Sequence, residues 1–166
     1  MYIVAHRPWT PQVRPGPIVN LTETLCCSDV RVRLAGTYLG YAYAGTAIGD
    51  ETDKLGALDL RTGRAVRPVK LRPNSEGPDP EIDTYWFIRA FDVTHRGALV
   101  WAQRQRNDDG SYGSTMQVRA TDGRRHVERI VDEGDIDPAS IRVSRDHPYA
   151  SWVEDGVRVQ VRLRTR

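Results

Sequence analysis

The stretch "LGALDLRTGRAV", Leu55 to Val66, decides the fold of this chain because it has a second copy further along. That copy is "MQVRATDGRRHV", Met116 to Val127, and the two superpose with Gly63 on Gly123. Each copy is an alternating apolar run, then Thr-Gly or Asp-Gly, then a second run. Two runs joined by such a pair indicate two strands and a tight turn. The sequence therefore uses one strand-turn-strand unit twice.

The rest of the chain also has a period of two, which is typical of strands. Apolar residues alternate with polar ones, or aromatic and β-branched residues cluster between glycines, in four further stretches: "VRVRL" (Val30 to Leu34), "TYLGYAYAG" (Thr37 to Gly45), "ALVWAQRQ" (Ala98 to Gln105) and "VRVQVRL" (Val157 to Leu163). No stretch shows an amphipathic helical stripe with caps. The sequence predicts an all-β chain.

A third copy of the unit begins near Ser140 and runs to Arg166. Its strands are predicted at 141–144, 149–153 and 157–163, and the Asp155-Gly156 pair indicates a tight hairpin between the last two. The end, "RLRTR", resembles "DLRTGR" of the first copy. The sequence thus stops where the turn into a fourth strand is expected.

Four-stranded antiparallel units that repeat at about 40–60 residues are typical of β-propeller blades. The tail of each unit, apolar-Asp-Leu-x-Thr-Gly-x-x-Val, resembles the outer hairpin of TolB-like and quinoprotein-like propeller blades. The resemblance covers roughly residues 28–166 and implies radially arranged blades with a binding face near a central channel. It carries over no catalytic residue, because the matching positions are turn and core positions.

The predicted fold is therefore all-β, with antiparallel four-stranded blade-like repeats that form a partial β-propeller. We assign 1–23 to an N-terminal strand and a Pro-rich linker, and 24–166 to three repeats at about 24–72, 84–133 and 139–166. Three blades are fewer than the usual ring of four to eight. Three forms stay open: two chains in a six-bladed ring, an open three-blade fragment, and a β-barrel or sandwich. The strand at Met1 to His6 is a candidate for the missing fourth strand of the third repeat, in the same chain or a neighbouring one.

Bulk properties exclude few functions. The net charge of +2 requires no anionic partner, and no apolar run is long enough to cross a membrane. The first residues lack the pattern of a secretory signal, so we expect a cytoplasmic protein unless the chain is a mature or trimmed form. Cys26 and Cys27 are adjacent and supply no disulfide framework, which leaves their redox state open.

Candidate catalytic residues are few. The sequence has no metal, nucleotide-binding or nucleophile motif, so we expect neither a cofactor nor a metal site. His95 and His147 occupy similar places, in the turns after the first strands of the second and third units. Together with loop carboxylates such as Asp108 and Asp135, they are the candidates for acid–base chemistry. The similar positions of these residues are also explained without any function, because polar residues recur wherever turns recur.

The C-terminal strand carries a one-sided basic ladder. Arg158, Arg162, Arg164 and Arg166 share one face, and valines and a leucine share the other. The ladder is a candidate surface for an anionic partner or for an acidic loop of a second chain. It also fits a charged face that discourages edge-to-edge aggregation. Nucleic acid is not expected, because its binding favours more net charge and interleaved exposed aromatics.

The function that the sequence favours is a non-enzymatic binding or scaffolding module of propeller-type blades, which acts through assembly with itself or another protein chain. The first alternative is a hydrolase or lyase that acts on a carbohydrate or lactone at a loop-face site. It requires the histidines and acidic side chains to converge in one pocket. The second alternative is a truncated propeller remnant without independent activity.

Overall fold

The described part of the chain consists of strands and turns, without any helix. A computed structural model describes residues 2–4, 18–20, 30–43, 54–66, 69–70, 85–106, 111–121, 128–144 and 147–163. The strands are β1 (Tyr2–Val4), β2 (Ile18–Asn20), β3 (Val30–Ala35), β4 (Tyr38–Tyr43), β5 (Lys54–Asp59), β6 (Arg64–Ala65), β7 (Val69–Lys70), β8 (Tyr85–Val93), β9 (Leu99–Arg106), β10 (Tyr112–Thr121), β11 (Glu128–Gly134), β12 (Ile136–Val143), β13 (Tyr149–Glu154) and β14 (Val157–Arg162). The all-β prediction is confirmed.

Three antiparallel sheets follow one another along the chain. Sheet 1 contains β3 to β7, sheet 2 has the order β8-β9-β10-β11, and sheet 3 has the order β12-β13-β14. Sheets 2 and 3 are meanders in which strands adjacent in sequence pair with each other, and β3 to β6 of sheet 1 follow the same order. This arrangement is compatible with the predicted blade-like repeats.

The fourth strand of sheet 1 comes in two pieces. Both β6 and β7 pair with β5, β6 at Leu58 and Asp59 and β7 at Lys54 and Leu55. Pro68 lies between the two pieces in the sequence, and a proline has no N–H to donate to a strand ladder. In sheets 1 and 2 the third strand, β5 or β10, is thus paired on its outer side with a fourth strand.

Sheet 3 has three strands within the described residues. The N-terminal strand β1, a candidate for its fourth strand, instead pairs antiparallel with β2, from Tyr2 opposite Asn20 to Val4 opposite Ile18. No described strand pairs with the outer edge of β14. The predicted linker at 7–17 and the cysteine pair lie outside the described residues.

Sheet 2 lies between the other two sheets and buries both of its faces. Alternate residues of β9 explain this: Leu99 and Trp101 point to sheet 1, and Val100 and Ala102 point to sheet 3. The first core contains Ala42, Leu55, Ala57, Val69, Ile88, Phe91, Val93, Leu99 and Trp101. The second contains Val100, Ala102, Met116, Val118, Ala120, Ile136, Ile141, Ala150, Trp152 and Leu163. A strand buried on both faces loses the polar alternation of a surface strand, which explains the continuous run "ALVWA".

Sheets 1 and 2 approach closely at Gly40. A Cβ at this position would lie 3.1 Å from Val93 Cβ and 3.2 Å from Phe91 Cε2. Beside it, Arg31 donates to the carbonyl oxygens of Ile88 at 2.6 Å and Arg89 at 2.9 Å. The pairing of β8 with β9 shifts register at this point, so the irregularity coincides with the tie between the two sheets.

The "DLRTG" stretch forms the turn between β5 and β6. The Asp59 carbonyl accepts hydrogen bonds from Gly63 N at 2.8 Å and Thr62 N at 3.2 Å, and Gly63 has a φ of 68°. The Asp59 carboxylate accepts from Arg61 Nη2 at 2.8 Å and from the Arg61 backbone N–H at 2.9 Å. The Arg61 guanidinium thereby lowers the pKa of Asp59. The second copy of this turn, at 122–127, lies outside the described residues.

Candidate functional site

The hairpin of β13 and β14 forms the outer half of sheet 3. The turn residues Asp155 and Gly156 have φ values of 49° and 76°, as a two-residue type I′ turn requires. The pairing then runs without a shift from Glu154 opposite Val157 to Tyr149 opposite Arg162. The short turn therefore fixes which side chains share a face.

The two faces of β14 have opposite chemistry. Val159 and Val161 are half-buried and pack against the second core, and Leu163 beyond the strand is buried. Arg158 and Arg162 are exposed on the other face, with Gln160 between them. Arg164 and Arg166 lie outside the described residues. The described part of the ladder is thus two arginines on the outer face of the sheet.

A third arginine shares this outer face. Arg142 of β12 lies opposite Ser151, and Ser151 lies opposite Gln160. The Arg158 guanidinium donates to Ser151 Oγ at 3.1 Å. No described carboxylate forms a salt bridge with Arg142, Arg158 or Arg162, so among the described residues their positive charges are not neutralised.

The backbone of β14 also points outward at these positions. In a two-residue hairpin the residues that flank the turn form a hydrogen-bonded pair, and such pairs alternate along the strands. The backbone groups of Val157, Val159 and Val161 therefore form hydrogen bonds with β13. Leu163 continues this alternation, since its N–H donates to the Pro148 carbonyl oxygen at 2.6 Å. The N–H and C=O groups of Arg158, Gln160 and Arg162 point away from β13. One of them is occupied, because Arg129 Nη2 donates to the Arg162 carbonyl oxygen at 3.4 Å.

Two partly buried hydrogen bonds join sheet 3 to sheet 2. Trp152 is 1% exposed, and its Nε1–H donates to Asp132 Oδ2 of β11 at 2.7 Å. The Val143 N–H donates to Asp92 Oδ2 of β8 at 2.9 Å. These two carboxylates join β11 and β8, the two edge strands of sheet 2, to sheet 3. The sheet that carries β14 is therefore tied to sheet 2 at two places.

The first strand of sheet 3 arches away from β13 between Asp137 and Arg142. The Ser140 hydroxyl closes this gap, since its Oγ accepts from Val153 N at 2.7 Å and donates to the Asp137 carbonyl at 2.6 Å. The Asp137 carboxylate accepts from Ala139 N at 2.9 Å. Side chains thus replace the ladder hydrogen bonds that the arch interrupts.

An acidic group lies at the turn end of the hairpin. The Glu154 carboxyl occupies the space beside Gly134 where a side chain would otherwise sit. Desolvation raises the pKa of Glu154, and hydrogen bonding and charge from Asp132 and charge from Asp155 raise it further. The acidic side chains of Asp132, Glu154 and Asp155 therefore lie close together at this end of the hairpin.

The structure separates the catalytic candidates. His95 and His147 are exposed in the turns after β8 and β12, whose ends meet where Asp92 accepts from Val143. Asp135 follows β11, which runs from the histidine end of the sheet to the opposite end. A seven-residue strand spans about 20 Å, so Asp135 lies about that far from the histidine turns. Asp108 lies outside the described residues.

Sequence reasoning missed the residues that hold the sheets together. Asp132, which was not among the candidate residues, lies within β11 and accepts the Trp152 indole N–H. Nothing in the local pattern distinguishes Asp132 from its acidic neighbours. The alternation of "SIRVS" (Ser140 to Ser144) does place Arg142 on the face opposite Ile141 and Val143.

Comparisons of the chain with protein families, with curated proteins and with solved structures find no match. Within the described ranges, no helix has the length and hydropathy needed to cross a membrane. The same residues contain no group of three or more His, Cys, Asp or Glu side chains that could hold a metal ion. The outer face and edge of sheet 3 are the candidate site that the geometry supplies.

Proposed function

We propose that this chain is a non-enzymatic binding or scaffolding module of propeller-type blades related to the TolB-like and quinoprotein-like kind, and that it acts through assembly with another protein chain. The observation that carries the proposal is that sheet 3 stops at three strands in the described residues, whereas β5 and β10 carry fourth-strand pairing. An unpaired edge presents N–H and C=O groups that are a template for another chain. Assembly supplies their partners.

The polarity of the two end faces argues against a ring made by stacking identical copies. The outer face of sheet 1 is apolar: Leu34 is 70% exposed, Val30 and Val32 are half-buried, and Leu39 and Leu58 on the same face are buried. The outer face of sheet 3 carries Arg158 and Arg162. Head-to-tail stacking would bury these charges against apolar side chains, which is costly without counter-charges. A different chain is therefore the partner that we propose.

The enzyme alternative draws little support from the geometry. Its convergence requirement is not met by the described candidates, because His95 and His147 lie at one end of the sheets and Asp135 at the other. Acid–base chemistry needs the acid and the base within hydrogen-bond reach of one substrate. A separation of about 20 Å does not allow that.

A photo-crosslinking scan tests the proposal. A photoreactive residue replaces, one at a time, exposed residues on different parts of the surface, namely Leu34, Arg96, Tyr112, Arg158 and Gln160. The variants are irradiated in the cells that make the protein, and adducts are identified by mass spectrometry. We expect an adduct with one discrete protein from at least one position. Absence of adducts at every position would favour the remnant, and adducts of two copies of this chain would overturn the assignment of a different partner.

A further inference from the structure

We infer that the outer edge of β14, with which no described strand pairs, is a binding site for an extended acidic segment of a partner protein, which joins sheet 3 as its fourth strand. The inference rests on the proposed binding function and names the surface and the chemistry of the partner. Three features carry it: the outward backbone groups of β14, the charge of its outer face, and the fourth strand of sheet 2.

The backbone groups define the length of the site. Arg158 and Gln160 each present an N–H and a C=O to the open side, and Arg162 adds an N–H. The Arg162 carbonyl is taken by Arg129, so the site ends there. A peptide strand carries donors and acceptors at the matching spacing. A nucleic acid backbone has no such alternation, which favours a protein partner.

The side chains define the composition of the partner. A residue of an added strand lies opposite its neighbour with Cβ atoms about 4.5–5.5 Å apart. Acidic residues opposite Arg158 and Arg162 would form charge-assisted hydrogen bonds. Residues on the other face would extend the apolar side of β14, where Val157 is 66% exposed. The expected segment thus has two acidic residues four positions apart and apolar residues at the intervening odd positions.

Sheet 2 contains a related pairing within this molecule, with a glutamine where β14 has arginines. Its third strand, β10, pairs with the acidic fourth strand β11, whose sequence is "ERIVDEG". Gln117 lies opposite Glu133, and its side-chain amide donates to Glu133 Oε2 at 3.2 Å. An acidic strand on a polar third strand is therefore a solution that the chain already uses.

A second copy of this chain fits the edge poorly. In an antiparallel pair of β14 strands centred on Gln160, Arg158 of one copy would lie opposite Arg162 of the other. Like charges in directly opposed positions destabilise a strand pair. In this register the arginines disfavour self-pairing, whereas they favour an acidic strand.

Peptide binding to the purified full chain tests the inference. The probe is a nine-residue synthetic peptide in which Glu alternates with Val and Thr, and the control peptide has Lys in place of Glu. We expect the Glu peptide to bind the native chain. The double variant R158E/R162E should lower its affinity about tenfold, because two surface ion pairs are lost and replaced by repulsion. The matched variant R96E, a charge reversal in the turn after β8, should stay within about twofold of the native affinity.

Amide hydrogen exchange identifies the surface that the peptide covers. Binding should slow exchange at Arg158, Gln160 and Arg162 and leave Val159 and Val161 unchanged, because the valines already bond to β13. Gln160→Pro removes one outward N–H and should weaken binding without altering the β-sheet circular dichroism, since proline is tolerated on an edge strand.

Three outcomes overturn the inference. They are no binding of the Glu peptide, equal binding of the Lys peptide or of a single-stranded oligonucleotide, and protection at residues other than the three edge amides. If one of these occurs while the crosslinking scan yields a partner at another face, the binding function stands and only the assignment to β14 fails. If the scan also yields nothing, both fail.

Discussion

The contact between Trp152 and Asp132 holds sheet 3 on sheet 2, and we predict a measurable coupling between these two side chains. The indole N–H donates to the carboxylate at 2.7 Å, and Trp152 is 1% exposed whereas Asp132 is half-buried. A hydrogen bond to a charged group contributes about 1.5–3 kcal/mol. Because Asp132 retains contact with solvent, we take the lower end, about 1.5 kcal/mol. In a chain of this size that energy corresponds to about 3–6 °C in Tm.

A double-mutant cycle isolates this energy. The free energy of unfolding is measured in urea by circular dichroism for the native chain, Trp152→Phe, Asp132→Ala and the double variant. The cavity left by the smaller ring and the loss of the Asp132 contact with Glu133 N occur in both arms and cancel. A coupling below about 0.3 kcal/mol, the usual error of additivity, would refute the reasoning. Trp101→Phe with Asp132→Ala is the control pair and should be additive, because Trp101 Nε1 donates to Gln103 in the other core.

Three further predictions concern single positions. Glu154→Gln should raise Tm at pH 7 but not at pH 4. The raised pKa of Glu154 gives a stabilisation that is complete below the ordinary pKa of 4.5 and is lost as the pH rises through the pKa of the folded state. Thermal melts at several pH values check this, and a gain in Tm at both pH values would contradict it. Asp59→Asn should lower the free energy of unfolding, measured by urea titration, by about 1 kcal/mol at pH 7. Because Arg61 lowers the pKa of Asp59, this difference should shrink below about pH 3.8. A difference that does not depend on pH would contradict the prediction. Gly40→Ala should lower the free energy of unfolding by about 1–3 kcal/mol, because the added methyl group overpacks against sheet 2. The control Gly113→Ala should change it little, because its Cβ would lie 3.6 Å from Gln105 Cβ. Equal unfolding energies for the two variants would contradict the close approach at Gly40.

The strands and the last hairpin could be predicted because they depend on local rules. Alternation fixes the two faces of a strand, and the Asp155-Gly156 pair supplies the positive φ values of a type I′ turn. The separation of valines from arginines on β14 follows from those rules alone. The number of sheets followed from the repeat.

The identity of each face's neighbour could not be predicted from alternation. In "VRVRL", Arg31 and Arg33 point toward sheet 2, where Arg31 binds the Ile88 and Arg89 carbonyls and the Arg33 guanidinium lies 5.9 Å from the Phe91 ring centroid. The apolar Leu34 faces outward and is exposed. A period of two shows that the two faces of a strand differ, but it does not show which face a neighbouring sheet covers. That depends on residues far away in sequence, since Arg31 and Ile88 are separated by 57 positions.

The same limit applies to the candidate site. The edge of β14, with which no described strand pairs, could not be predicted, because we expected the N-terminal strand to complete the third repeat and the structure pairs it with β2 instead. Likewise, the separation of His95 from Asp135 follows from strand directions in the sheets. Local patterns place both residues beside turns but do not determine the end of the sheet at which each turn lies.

Residue-resolved amide hydrogen exchange of the free chain tests most directly the central claim that sheet 3 ends at an open edge. We predict an alternating pattern along β14, with fast exchange at Arg158, Gln160 and Arg162 and slow exchange at Val159, Val161 and Leu163. Uniformly slow exchange along the strand would contradict it, because the outer edge would then already be paired.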